Sequence, residues 1–150
     1  MRIIFMLSVL FSGIVSVVGF AFTNRMTSSF DPAGDNFVGG NGNPGLLFVM
    51  FPMLIILYFF FAMILVFEKL HTRFLVNRKL IKACYAGIAL LIFGMSINRI
   101  VSFQNEINPY FDYDIAYLNP FSNHLFFNFW TFIACLCASG YCSFYLKGKK

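Results

Sequence analysis

Charge is what this chain has least of. Asp, Glu, Lys and Arg make up 11% of its 150 residues, against 59% hydrophobic. A water-soluble domain carries roughly 25% charged residues over its buried core. The composition therefore excludes that class and makes a lipid bilayer the solvent, in keeping with a mean hydropathy of +0.76. Only six residues are acidic, and none falls inside an apolar run. The intramembrane carboxylate on which proton or cation coupling usually depends is thus missing. Histidine occurs twice, and a haem held between His71 and His124 is not expected, because the two fall on opposite sides of the inferred membrane. The four cysteines, Cys84, Cys135, Cys137 and Cys142, all lie in apolar runs, and no C-x-x-C is present. That argues against a secreted disulfide scaffold or a thiol–disulfide oxidoreductase and leaves reduced thiols acting as small apolar groups. There is no P-loop, G-x-S-x-G or H-E-x-x-H motif, so no catalytic activity, cofactor or metal is expected.

Long apolar runs are what the chain does have. They cover residues 3–22, 46–67, 83–101 and 125–146, each near the ~20 residues a helix needs to cross about 30 Å of hydrocarbon. The predicted fold class is an all-α membrane protein: four transmembrane helices in an antiparallel up-down bundle, one domain over 1–150. When the connecting segments are assigned to alternate sides, nine basic residues and one acid fall on one side, a net of +8. The other side holds Arg25 and Arg99 with five acids, a net of −3, which together make the +5 of the chain. Basic residues resist translocation, so both termini are expected in the cytoplasm. The pI of 9.2 then reflects topology signals rather than a nucleic-acid partner. Arg2 and Gly19-Phe20-Ala21 would suit a signal peptide, but the first run exceeds the usual 7–15-residue apolar core. A retained helix is expected. The Phe-, Asn- and Ile-rich usage fits an AT-rich genome, and the compact, sequon-free outer loops fit a bacterial plasma membrane.

The connections read as loops. Residues 23–45 contain DPAGDNFVGGNGNPG, a run of turn signals. Asp31, Asp35 and Asn36 in it lack the spacing of a calcium loop. Residues 68–82, with Leu70, Phe74 and Leu75 among the bases, suit an interfacial segment. Residues 102–124 carry Tyr110, Phe111, Tyr113, Tyr117 and Phe121, as headgroup anchors do. Glu106, Asp112 and Asp114 there have no companion histidine to make a metal or acid–base site. Pro52 should kink the second run, and the 22 phenylalanines read as lipid-facing filler.

Small and weakly polar residues mark helix contacts in lipid, because lipid tails are as apolar as leucine. In the fourth run Asn128, Thr131, Cys135, Ala138 and Cys142 make a heptad-like seam, with Cys137 on the opposite face. In the third run Ala83, Gly87, Gly94 and Asn98 share one stripe, and in the first Ser8, Ser12, Ser16 and Gly19 share another. The second run has only Ala62. Helices one, three and four are therefore expected to pack together, the third and fourth through Gly87, Gly94, Cys135 and Ala138, with helix two facing lipid. Asn98 and Asn128, with Arg99 beside them, form a possible polar site on the outer side. Two function classes follow. One is a non-catalytic accessory or regulatory subunit, whose partners are the bilayer and another membrane protein or a second copy. The other is a small transport or pore-forming protein acting as a homo-oligomer.

Overall fold

A chain in hydrocarbon has no water to satisfy free amides, so its long apolar stretches close their hydrogen bonds internally as helices. A computed structural model describes residues 2–30, 43–73, 77–111 and 115–146, and those residues are helical or irregular, with no strand. The helices are α1 Arg2–Arg25, α2 Leu47–Met50, α3 Met53–Arg73, α4 Arg78–Ile107, α5 Asn123–Phe126 and α6 Phe129–Cys142. Four segments are long and apolar enough to cross a membrane: Ile3–Arg25, Met53–Arg73, Arg78–Tyr110 and Asn123–Cys142. Asp31, Asp35, Asn36, Phe74, Leu75, Asp112, Tyr113, Asp114 and the basic tail 147–150 lie outside the described residues.

Two of the four predicted spans are interrupted, each for a local chemical reason. The second is interrupted between α2 and α3 at Phe51-Pro52. Pro52 has no N–H to offer the Phe48 carbonyl four residues earlier. That carbonyl leans towards α1, where a Cβ on Gly19 would lie only 2.8 Å from it. Gly19 is the residue that admits the approach. The fourth is interrupted at Phe127-Asn128 and restarts through a capping box. The Asn128 side-chain oxygen accepts from the amides of Trp130 at 2.9 Å and Thr131 at 3.0 Å. The Thr131 hydroxyl accepts from the Asn128 amide at 3.1 Å and donates to the Phe126 carbonyl at 2.7 Å. The break therefore leaves these polar groups paired, as an apolar solvent requires.

The packing order differs from the expected one. α3 contacts both α1 and α6, while α4 packs mainly on α6. The second span is thus interior rather than peripheral, and the third sits at the edge. The serine stripe of α1 is indeed a contact face, with Ser12, Ser16 and Gly19 buried, but its neighbour is α3. Ser12 and Ser16 donate back to the Ser8 and Ser12 carbonyls at 2.8 and 2.7 Å, so their face presents little free polarity. Bulky α3 residues fill the space the small ones leave: Phe59 lies 3.0 Å from where a Gly13 Cβ would stand. Sequence reasoning took the bulk of α3 for lipid exposure; that holds for Leu54, Leu57 and Phe61, whereas Ile56 and Phe59 are buried as the complement of a small face. Some phenylalanines likewise form core rather than filler. Phe20, Phe59, Phe60, Phe127 and Phe132 join α1, α3 and the broken fourth span, with ring centroids 5.3–5.9 Å apart.

Each end of the bundle is tied separately. At the loop end, Thr23 donates to the Gly45 carbonyl at 2.9 Å, and the amides of Asn43 and Asn123 bond reciprocally at 2.7 and 2.8 Å. Gln104, buried in the last turns of α4, donates to Asn108 at 2.9 Å and to the Ile115 carbonyl. Phe30 packs edge-on against Tyr110 and Phe121. At the basic end, the Lys69 ammonium stands over the Phe5 ring at 5.3 Å.

Candidate functional site

The sequence-predicted polar site is not assembled. Asn128 is committed to capping: besides accepting two amides, its side-chain nitrogen donates to the His124 and Leu125 carbonyls at 2.9 and 3.1 Å. Asn98 and Arg99 are exposed on α4 and do not converge on it. Placing two amides at one depth by counting residues ignored the break before α6, which turns Asn128 inward along its own chain.

The predicted packing residues divide in two. Thr131 is buried, Cys135 and Ala138 are half-buried, and Cys142 is exposed. The tight contacts in α6 come instead from Ala134, Cys137 and Gly140, all buried. A Cβ on Gly140 would meet the Tyr85 ring at 2.7 Å. Cys137, expected on the outer face, is buried because α6 is flanked by both α3 and α4. On α4 the outcome is the reverse. Gly87 and Gly94 have nothing within 4 Å of an added Cβ. α4 meets its neighbours through Tyr85, Ala89, Ile92 and Gln104, on another side of the helix.

One junction escaped the sequence reading because its members are far apart in the chain. His71 ends the second span and stacks on Phe144 at 4.5 Å and on Phe67 at 6.1 Å. Its Nδ1 lies 3.1 Å from Ser143 Oγ, and its Nε2 lies 3.4 Å from the Tyr85 hydroxyl. Ser143 gives its single proton to the Gly140 carbonyl at 2.6 Å. The Ser143 oxygen is then left to accept at Nδ1. Three spans meet at this imidazole. Ser143 is buried, and through His71 and the Gly140 carbonyl it ties the second span to the fourth. Beside it, Lys82 stands 4.1 Å over the Tyr145 ring and 5.2 Å over that of Tyr141. The Lys82 ammonium, then the Tyr141 hydroxyl, hold the Tyr145 phenol below its usual pKa.

The outward face of α4 is uncovered among the described residues. Leu80, Leu90, Leu91 and Ile97 are each more than 60% exposed, and Ala83, Gly87, Gly94 and Asn98 lie among them. Bulky residues bracket a shallow floor of small ones with a single amide at one end. Relief of this kind is the shape through which membrane helices approach closely and hydrogen-bond. Among known proteins, no family model, no curated protein and no solved structure matches this chain.

Proposed function

We propose that this chain is a multi-pass cell-membrane protein with both termini in the cytoplasm, acting as a non-catalytic accessory or regulatory subunit. It would do so by docking the outward face of α4 onto a helix of a larger membrane partner. The observation that carries this reading is the open space at Gly87 and Gly94. Glycine in a helix interior costs about 0.8–1.0 kcal/mol relative to alanine, and lipid gains nothing from it. A closely approaching backbone does gain. The orientation rests on the +8 against −3 distribution of charge. The transport reading loses one of its polar residues, since Asn128 is occupied within its own helix.

Affinity purification in mild detergent tests the reading. A co-purifying membrane protein should be lost from the variant carrying both Gly87→Leu and Gly94→Leu, while the monomer keeps its melting temperature. Retention of the partner by that variant would refute docking through α4. Solute flux through liposomes holding only the purified chain would favour the transport alternative instead. Impermeant labelling of cysteines placed at Lys150 and at Gly40 checks orientation, with reaction expected at Gly40 alone in intact cells.

A further inference from the structure

The first and second spans do not close along their whole length. Where Pro52 interrupts the second, a groove of about 560 Å³ opens, lined by Ile14, Val18, Gly19, Phe48, Phe51 and Pro52 among others, every one apolar. It has a charged neighbour along α1. At 100° per residue, Ile14, Val18 and Arg25 fall within about 40° of one another. Arg25, in the last turn of α1, stands about 10 Å further along the axis than Val18, at 1.5 Å per residue. Phe22 lies between them and stacks on Phe48 at 5.2 Å. Arg25 is exposed, and no hydrogen bond or ion pair engages its guanidinium among the described residues. An apolar slot therefore runs beneath a free cation at the end of a membrane-spanning helix.

We propose that this groove is a lipid-binding site: it holds one acyl chain of an anionic phospholipid whose phosphate rests on Arg25. A protein helix suits it poorly. One turn of a helix ~10 Å across fills roughly 400 Å³, so the groove would seat little more than a turn. A hydrocarbon chain lying along it is held over its length. The groove owes its shape to chain chemistry: Pro52 withholds the bond that would continue the helix, and Gly19 lets the Phe48 carbonyl close onto α1 at the floor. Arg25 then selects the headgroup, because a planar fork of donors matches a phosphate bidentately. The site does not involve α4, so it stands or falls independently of the docking reading.

Native mass spectrometry of the protein in neutral detergent provides the test, with phosphatidylglycerol, phosphatidylcholine and diacylglycerol supplied in competition. The wild type should retain one phosphatidylglycerol, preferred about fivefold over phosphatidylcholine, as one basic residue near an anionic lipid allows. Arg25→Gln should erase that preference. Val18→Trp, which fills the groove, should lose the bound lipid altogether, whereas Leu54→Trp, exposed and outside the groove, should behave as wild type. Should Val18→Trp fail to fold, Ile14→Phe replaces it with the same expectation. The proposal is overturned if Arg25→Gln keeps the preference, if the filled groove still retains lipid, or if the wild type carries a graded, unselective shell of lipids.

Discussion

Gly140 and Gly94 sit in neighbouring helices, in similar apolar sequence, and meet opposite surroundings. Gly140 lies against the Tyr85 ring so closely that a Cβ would be 2.7 Å from it, and Gly19 is equally confined by the Phe48 carbonyl at 2.8 Å. Around Gly94 and Gly87 there is nothing within 4 Å. A small residue in a membrane helix is thus a statement that something can come close, without naming what does. For Gly140 and Gly19 the visitor is another part of this chain. For Gly87 and Gly94 no described part of the chain fills that place, and the proposed partner helix would.

Substitution should separate the two classes sharply. The largest effect is expected from Gly140→Leu, which must displace Tyr85 and with it the His71 junction, at about 1–3 kcal/mol as for an overpacked core. Unfolding in mixed detergent–SDS micelles would measure it. Wild-type stability there would mean that α4 and α6 do not touch through this pair.

Next comes the loop end, where closeness is enforced by hydrogen bonds rather than by packing. Asn123→Ala removes both bonds to Asn43 from a fully buried position, with a cost of about 1–2 kcal/mol for the amide left unpaired. A double-mutant cycle with Asn43→Ala should recover part of that cost, since the partner is then gone too. Strict additivity would show the amides to be independent.

Asn128→Ala should cost about 1 kcal/mol through the lost cap of α6. Asn128→Asp should fall between it and wild type, keeping the acceptors for Trp130 and Thr131 but losing the donors to His124 and Leu125. If flux or ligand binding changes while stability does not, Asn128 serves a polar site after all.

The smallest effect belongs to Gly94→Leu. With open space on its face, the monomer should stay within about 0.5 kcal/mol of wild type, on the stabilised side if helix propensity alone acts. A loss as large as that of Gly140→Leu would abolish the contrast between the two glycines.

Some of this contrast was legible beforehand. The stripe Ser8, Ser12, Ser16 and Gly19 announces a contact face by its spacing alone, and Pro52 announces a kink in the second span. The neighbour of that stripe was not legible. Lipid gives no hydrophobic reward for one helix pairing over another, so the bulk of α3 read as exposure when Phe59 and Ile56 fill the relief of α1. The break at Asn128 was missed for a different reason. Asn and Thr three apart serve equally as interhelical glue or as a capping box, and only the backbone course at Phe127 distinguishes them. His71, Tyr85 and Ser143 carried no signal, because their spacing in the chain obeys no local period.

Composition and periodicity by themselves determined that this is a helical chain with four stretches able to cross a membrane, because backbone groups in hydrocarbon must be paired within the segment that carries them. Tertiary structure alone decided which helix lies at the centre, which glycines are filled and which are open, and where amides pair across the loops. Those outcomes depend on shape complementarity between side chains distant in sequence. In a solvent as apolar as the helices themselves, shape and hydrogen bonding, rather than burial, choose the neighbours.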